Sequence, residues 1–108
     1  MNYKLVVFVP LESADKVRKA LAEAGAGQIG EYKDCSFSSR GIGRFTPTGS
    51  ANPSIGEVGK PEEVEEERIE VLVPKEIAGS VIRAMLTAHP YEEVAYDIYP
   101  LVDRQEII

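Results

Sequence analysis

One cysteine, one histidine and a shortage of basic residues set the first limits on this chain. Cys35 has no partner for an internal disulfide, which suits a cytoplasmic protein. His89 is the only imidazole, and one imidazole with a carboxylate or two is half a metal site. Lys and Arg number 12 against 18 Asp and Glu, a net charge of −6. That balance argues against nucleic acid as a partner, because phosphate-backbone binding rests on clustered basic side chains. No apolar run approaches the ~20 residues of a membrane helix, so no membrane partner is expected. The opening MNYKLVVFVPLESAD lacks a small-residue cleavage site, which argues against a secretory signal. What remains is a chain of 108 residues, enough for a single domain, 1–108, with one modest core.

The hydrophobic periodicity gives six elements. YKLVVFVP (3–10) reads as a strand with Tyr3, Leu5, Val7 and Val9 on one face and Val6 and Phe8 on the other. Both faces are apolar, so the strand is expected to be central and covered on both sides. SADKVRKALAEAG (13–25) reads as a helix, with Ser13 as N-cap and Gly25 as the stop. Residues 35–47 alternate as a strand in which Cys35 and Phe37 share a row. Gly41 and Gly43 inside it suggest a bulge or a close approach. Residues 47–60, PTGSANPSIGEVGK, form a long loop. EERIEVLVP (66–74) is a strand with Ile69, Val71 and Val73 inward and Glu66, Arg68 and Glu70 outward. Residues 75–88 form a helix that Pro90 ends, and 94–101 a last strand. The acidic run 62–67 reads as a solvated face and strand edge.

Displaced by 64 residues, the chain matches itself. Residues 5–33 lie over 69–97 without a gap, with nine identical pairs, among them Val7 with Val71, Pro10 with Pro74, Val17 with Val81 and Tyr32 with Tyr96. A doubled β-α-β unit is the split, ferredoxin-like motif. The expected fold is therefore α+β, a β-α-β-β-α-β sandwich with an antiparallel sheet. Right-handed crossovers put the first and third strands in the middle and both helices on one face. The second face of the sheet then needs a cover. Another copy of the chain is the simplest one, so a homo-oligomer is expected.

Candidate chemistry falls in two places. The first is AHPYEE (88–93), where His89-Pro90 lies over Gly25-Ala26 of the first repeat, a helix-to-strand turn. His89 is therefore either a helix-end residue or a ligand for a divalent metal ion, with Glu92, Glu93 and, from elsewhere, Cys35; the structural role is favoured. Cys35 itself is expected to face inward as a buried thiol. The second place is the glycine-rich stretch from 41 to 59, with Arg40 and Arg44. It offers backbone donors and guanidinium groups for a small-molecule or anionic ligand, or is only a long hairpin connection. No nucleophile–base set can be assembled, so no enzyme activity is expected.

Gly41-Ile42-Gly43-Arg44-Phe45-Thr46-Pro47, followed by Ala51, Pro53, Gly56 and Gly59, resembles the inserted domain of YqfO-type, Nif-three-like proteins. GAGQIGEYKDCSF (25–37), EEVEEERIE (62–70) and AHPYEEVAYDIYPL (88–101) continue the resemblance over nearly all of the chain. Full-length members are hexamers with a dinuclear metal centre. Their flanking halves carry the metal ligands and are absent here, so neither that centre nor a cyclohydrolase-type activity is expected. The inserted domain is in turn similar to CutA and PII-like trimers. CutA proteins carry HPYE between the second helix and the next strand, where His89-Pro90-Tyr91-Glu92 stands. The two part after it, at Glu93-Val94-Ala95. The resemblance implies a trimeric module for regulatory ligand sensing or protein interaction. By analogy with the clefts of PII-like proteins it points to Arg40, Gly41, Gly43, Arg44, Phe45 and Tyr91 as ligand residues.

Overall fold

The computed structural model describes Met1–Ile108. Four strands and two helices follow in the expected order: β1 (Asn2–Pro10), α1 (Leu11–Glu23), β2 (Phe37–Phe45), β3 (Glu62–Pro74), α2 (Ala78–Ala88) and β4 (Tyr96–Leu101). The sheet runs β2-β3-β1-β4, with every neighbouring pair antiparallel. The alternation in β1 and β3 holds residue by residue. Leu5, Val7 and Val9 meet Ile69, Val71 and Val73 in the core, under Ala14, Val17 and Leu21 of α1 and Val81 and Met85 of α2. Each fully buried Val or Leu there stabilises the fold by roughly 1.5–3 kcal/mol. Arg18 ties α1 to the sheet, donating to Glu67 at 2.5 Å and to Ser38 at 3.1 Å.

The helix starts differ from those expected: α1 begins three residues before a Ser13 cap would place it, and α2 begins at Ala78 rather than 75. α1 begins at Leu11 with Pro10 at the N-cap, and no side chain caps it, so Ser13 lies inside the helix. Pro74 plays the same part before the short 3-10 turn Lys75–Ile77 that leads into α2. A proline ends each strand with an extended ψ and a fixed φ suited to the turn. At the other end of α1, Gly25 takes φ +104°. Its amide bonds Ala22 O and the Ala26 amide bonds Leu21 O, a Schellman closure.

The acidic run 62–67 is a strand edge over its first four residues only. β3 starts at Glu62 rather than 66. β1 pairs with it from Glu66 onward, and residues 62–65 have β2 on one side and no strand on the other. The outer strands of the sheet are β2 and β4. The second face of the sheet is partly covered by the chain itself. Val6, flanked by Glu70 and Asp97, is fully buried. Phe8 is half-buried beneath the Arg68 guanidinium, 5.7 Å from the ring centre. Phe37 and Tyr99, on the same face, stand exposed.

Candidate ligand-binding cleft

The open face of the β2–β3 hairpin holds a hollow made by missing side chains. The register sets Phe37, Ser39, Gly41, Gly43 and Phe45 on the face of Glu66 and Arg68. A Cβ at Gly43 would overlap the Glu66 carboxylate, whereas Gly41 has open space around it. The pairing continues through both glycines without a bulge. Gly43 therefore admits the Glu66 side chain, and Gly41 leaves the floor bare. The result is a cleft of about 740 Å³. Phe8 and Arg68 line one wall, Phe45 and Tyr91 another, and the loop from Thr46 to Ile55 a third, with Glu92 and Glu93 at the rim.

The HPYEE turn builds part of that wall. His89 caps α2 and is buried. Its Nδ1 accepts from the Tyr91 amide at 3.1 Å, which leaves Nε2 as the protonated nitrogen, donating to the Phe8 carbonyl at 2.7 Å. Burial lowers the His89 pKa, the Phe8 bond opposing, so the ring is neutral near pH 7. Tyr91 then lies edge-on to Phe45, centroids 5.9 Å apart. Glu92 accepts from the Asn52 amide at 2.8 Å and so anchors the long loop.

The four residues considered for a metal do not gather. Both nitrogens of His89 are engaged, Glu92 holds the loop, and Cys35 lies in the turn before β2, beside a different hollow lined by Arg18 and Lys33. No three His, Cys, Asp or Glu side chains of the chain form a group able to hold a metal ion. Cys35 is also not the inward strand residue the alternation suggests. The strand starts at Phe37, and the half-buried thiol points toward Lys33 O at 3.8 Å.

Of the six ligand candidates, Gly41, Gly43, Phe45 and Tyr91 meet at the cleft. Arg40 and Arg44 border it, but the register turns their side chains to the other face of the strand, and Arg44 pairs with Glu63 at 3.2 Å. The charged groups that do face the cleft are Glu66 and Arg68, and Arg68 is paired with Glu70 at 3.5 Å. Glu66 is 8 % exposed and takes part in no salt bridge. Burial raises its pKa, partly offset by the Tyr91 hydroxyl. That hydroxyl is itself buried and directed at Glu66 without a hydrogen bond of ordinary geometry; burial and the Glu66 charge push its pKa up to about 12. Glu66, Arg68 and Phe8 were not among the sequence candidates. The signal for Glu66 and Arg68 was the outward row of EERIEVLVP facing a strand that lacks two side chains, and for Phe8 the second apolar face of YKLVVFVP.

No family model matches the chain. The GTP cyclohydrolase 1 type 2 homolog of Bacillus subtilis is 58 % identical over 98 residues, covering 91 % of this chain and 26 % of that protein. Among solved structures, a Bacillus cereus protein related to NIF3 superposes with a TM-score of 0.81 at 54 % identity, over 94 % of this chain and 26 % of the other. The chain is a relative of one stretch of the NIF3-related proteins. It spans about a quarter of the length of the curated relatives it matches. The periplasmic divalent cation tolerance protein CutA of Archaeoglobus fulgidus superposes with a TM-score of 0.69 at 20 % identity, over 95 % of this chain and 86 % of CutA. The fold of this chain is accordingly CutA-like, with the four-stranded antiparallel sheet and two helices expected from the repeat.

Proposed function

We propose that the chain is a small, non-catalytic regulatory module that binds a small molecule in the cleft beside Gly41 and Gly43 and works as a homo-oligomer, a trimer. The cleft carries this reading: about 740 Å³ of space, floored by glycines and walled by aromatic rings and an anchored loop. Self-association is supported by apolar side chains left exposed near the sheet edges and the C-terminus, Phe37, Ile98, Tyr99, Val102, Ile107 and Ile108. A non-catalytic role fits a histidine with both nitrogens engaged.

Two measurements test the proposal. A small-molecule fragment screen followed by amide NMR is expected to shift the Gly41, Gly43 and Tyr91 signals. Gly41→Val, which has room to fold, should abolish those shifts by filling the floor; retained shifts would contradict the site. Sedimentation equilibrium at micromolar concentration should return the mass of three chains, and a monomer mass would remove the oligomer. The metal alternative predicts that His89→Ala weakens binding of copper, zinc or manganese in calorimetry. Equal weak binding in both proteins is the expected result.

A further inference from the structure

Resting on the cleft proposed above, we infer that its ligand carries a flat cationic group, a guanidinium or amidinium, held by the Glu66 carboxylate with the Phe45 and Tyr91 rings beside it. The first support is Glu66 itself. A carboxylate more than nine-tenths buried, with no salt bridge and lining an open cavity, is costly unless a counter-ion arrives. The second is the Tyr91 hydroxyl, buried next to Glu66 and directed at it without a hydrogen bond of ordinary geometry, so that its oxygen lone pairs are open to a donor. A carboxylate and a phenol oxygen side by side can accept two of the N–H groups of a planar fork, which a spherical ammonium or a single N–H cannot match.

The charges around the cleft point the same way. Arg68, the guanidinium on the cleft face, is already paired with Glu70, while Arg40, which has no salt bridge, and Arg44, paired with Glu63, project from the other face of β2. An anionic ligand would instead face Glu66 at close range. The cleft also contains one example of the chemistry it would use: the Arg68 guanidinium lies over the Phe8 ring. A flat cation near Phe45 and Tyr91 would repeat that arrangement on the other wall.

Benzamidine, benzamide and benzoate share one ring and differ in charge, so they separate the alternatives in amide NMR titrations of the full chain at neutral pH. Benzamidine is expected to shift Gly41, Gly43 and Tyr91 and to bind at least tenfold more tightly than benzamide, with no shifts from benzoate. In Glu66→Gln, benzamidine should fall to the level of benzamide while benzamide is unchanged. Benzamide or benzoate binding as tightly as benzamidine at these amides would overturn the cation assignment and leave the cleft as a ligand site. Silence from all three at these amides would overturn both.

Discussion

The turns that follow α1 and α2 occupy the same place in the repeat and close it with different chemistry. After α1, the Gly27 amide donates to the Leu72 carbonyl at 2.8 Å. After α2, His89 Nε2 donates to the Phe8 carbonyl at 2.7 Å. Phe8 and Leu72 are equivalent under the 64-residue displacement. Each turn thus satisfies the matching carbonyl on the strand of the other half. In the first half a backbone N–H suffices, because Gly25 and Gly27 take φ of +104° and +82° and fold the chain tightly. In the second half Pro90 holds His89 extended, and the imidazole supplies the donor. The histidine is a side-chain substitute for a backbone donor. What the second turn gains is direction: it sends Tyr91 and Glu92 to the cleft instead of forming the small Ile29–Tyr32 bridge of the first.

The largest effect should come from breaking the backbone version. A Cβ at Gly27 would overlap the Cys35 main chain, which cannot yield, at a φ that other residues rarely adopt. Gly27→Ala should lower the unfolding free energy by about 3 kcal/mol in urea denaturation. His89→Ala breaks the side-chain version. It removes two hydrogen bonds and leaves the Phe8 carbonyl without its imidazole partner, a loss of about 2–3 kcal/mol in the same assay. If His89→Ala cost nothing, the equivalence of the two turns would be lost.

The histidine version also carries a pH dependence that the glycine version lacks. In the unfolded chain an ordinary histidine takes its proton near pH 6.5, before the folded His89 does. The unfolded state then binds more protons, so this contribution to stability falls as pH drops below about 6.5 and levels off below the lowered folded pKa. Chemical denaturation between pH 7.5 and 5 should show that slope in the wild type and its loss in His89→Ala. Glu66 acts with the opposite sign. Its raised pKa means that the charged form is disfavoured in the folded state, and acidification relieves that cost. Glu66→Gln should therefore stabilise the chain at pH 7, by about 1 kcal/mol. The smallest effect is expected from Glu92→Ala. It frees the Asn52 amide, with a global cost below about 1 kcal/mol and faster hydrogen exchange at Asn52.

How far the sequence reached follows from the range of each interaction. The sheet order and the core were legible, because Leu5, Val7, Ile69 and Val71 repeat at short, regular spacing and the 64-residue match supplies the topology. Helix starts were less so: Pro10, not Ser13, precedes α1, and after Pro74 a 3-10 turn delays α2 to Ala78. The site was half legible. Gly41 and Gly43 announce a bare patch, but what fills it depends on register, which sets Glu66 opposite Gly41 and takes Arg40 and Arg44 to the other face. His89 was weighed as a ligand because its spacing to Glu92 allows it. Its engagement with Phe8, 81 positions away, depends on how the two halves pack.

Imidazole nitrogen NMR of His89 in the presence and absence of zinc tests the central comparison most directly. A backbone-donor substitute predicts a neutral ring at pH 7 with the proton on Nε2, Nδ1 in the range of a hydrogen-bonded acceptor, and no change on adding zinc. A ring protonated on Nδ1, or one whose nitrogen signals shift with zinc, would contradict it.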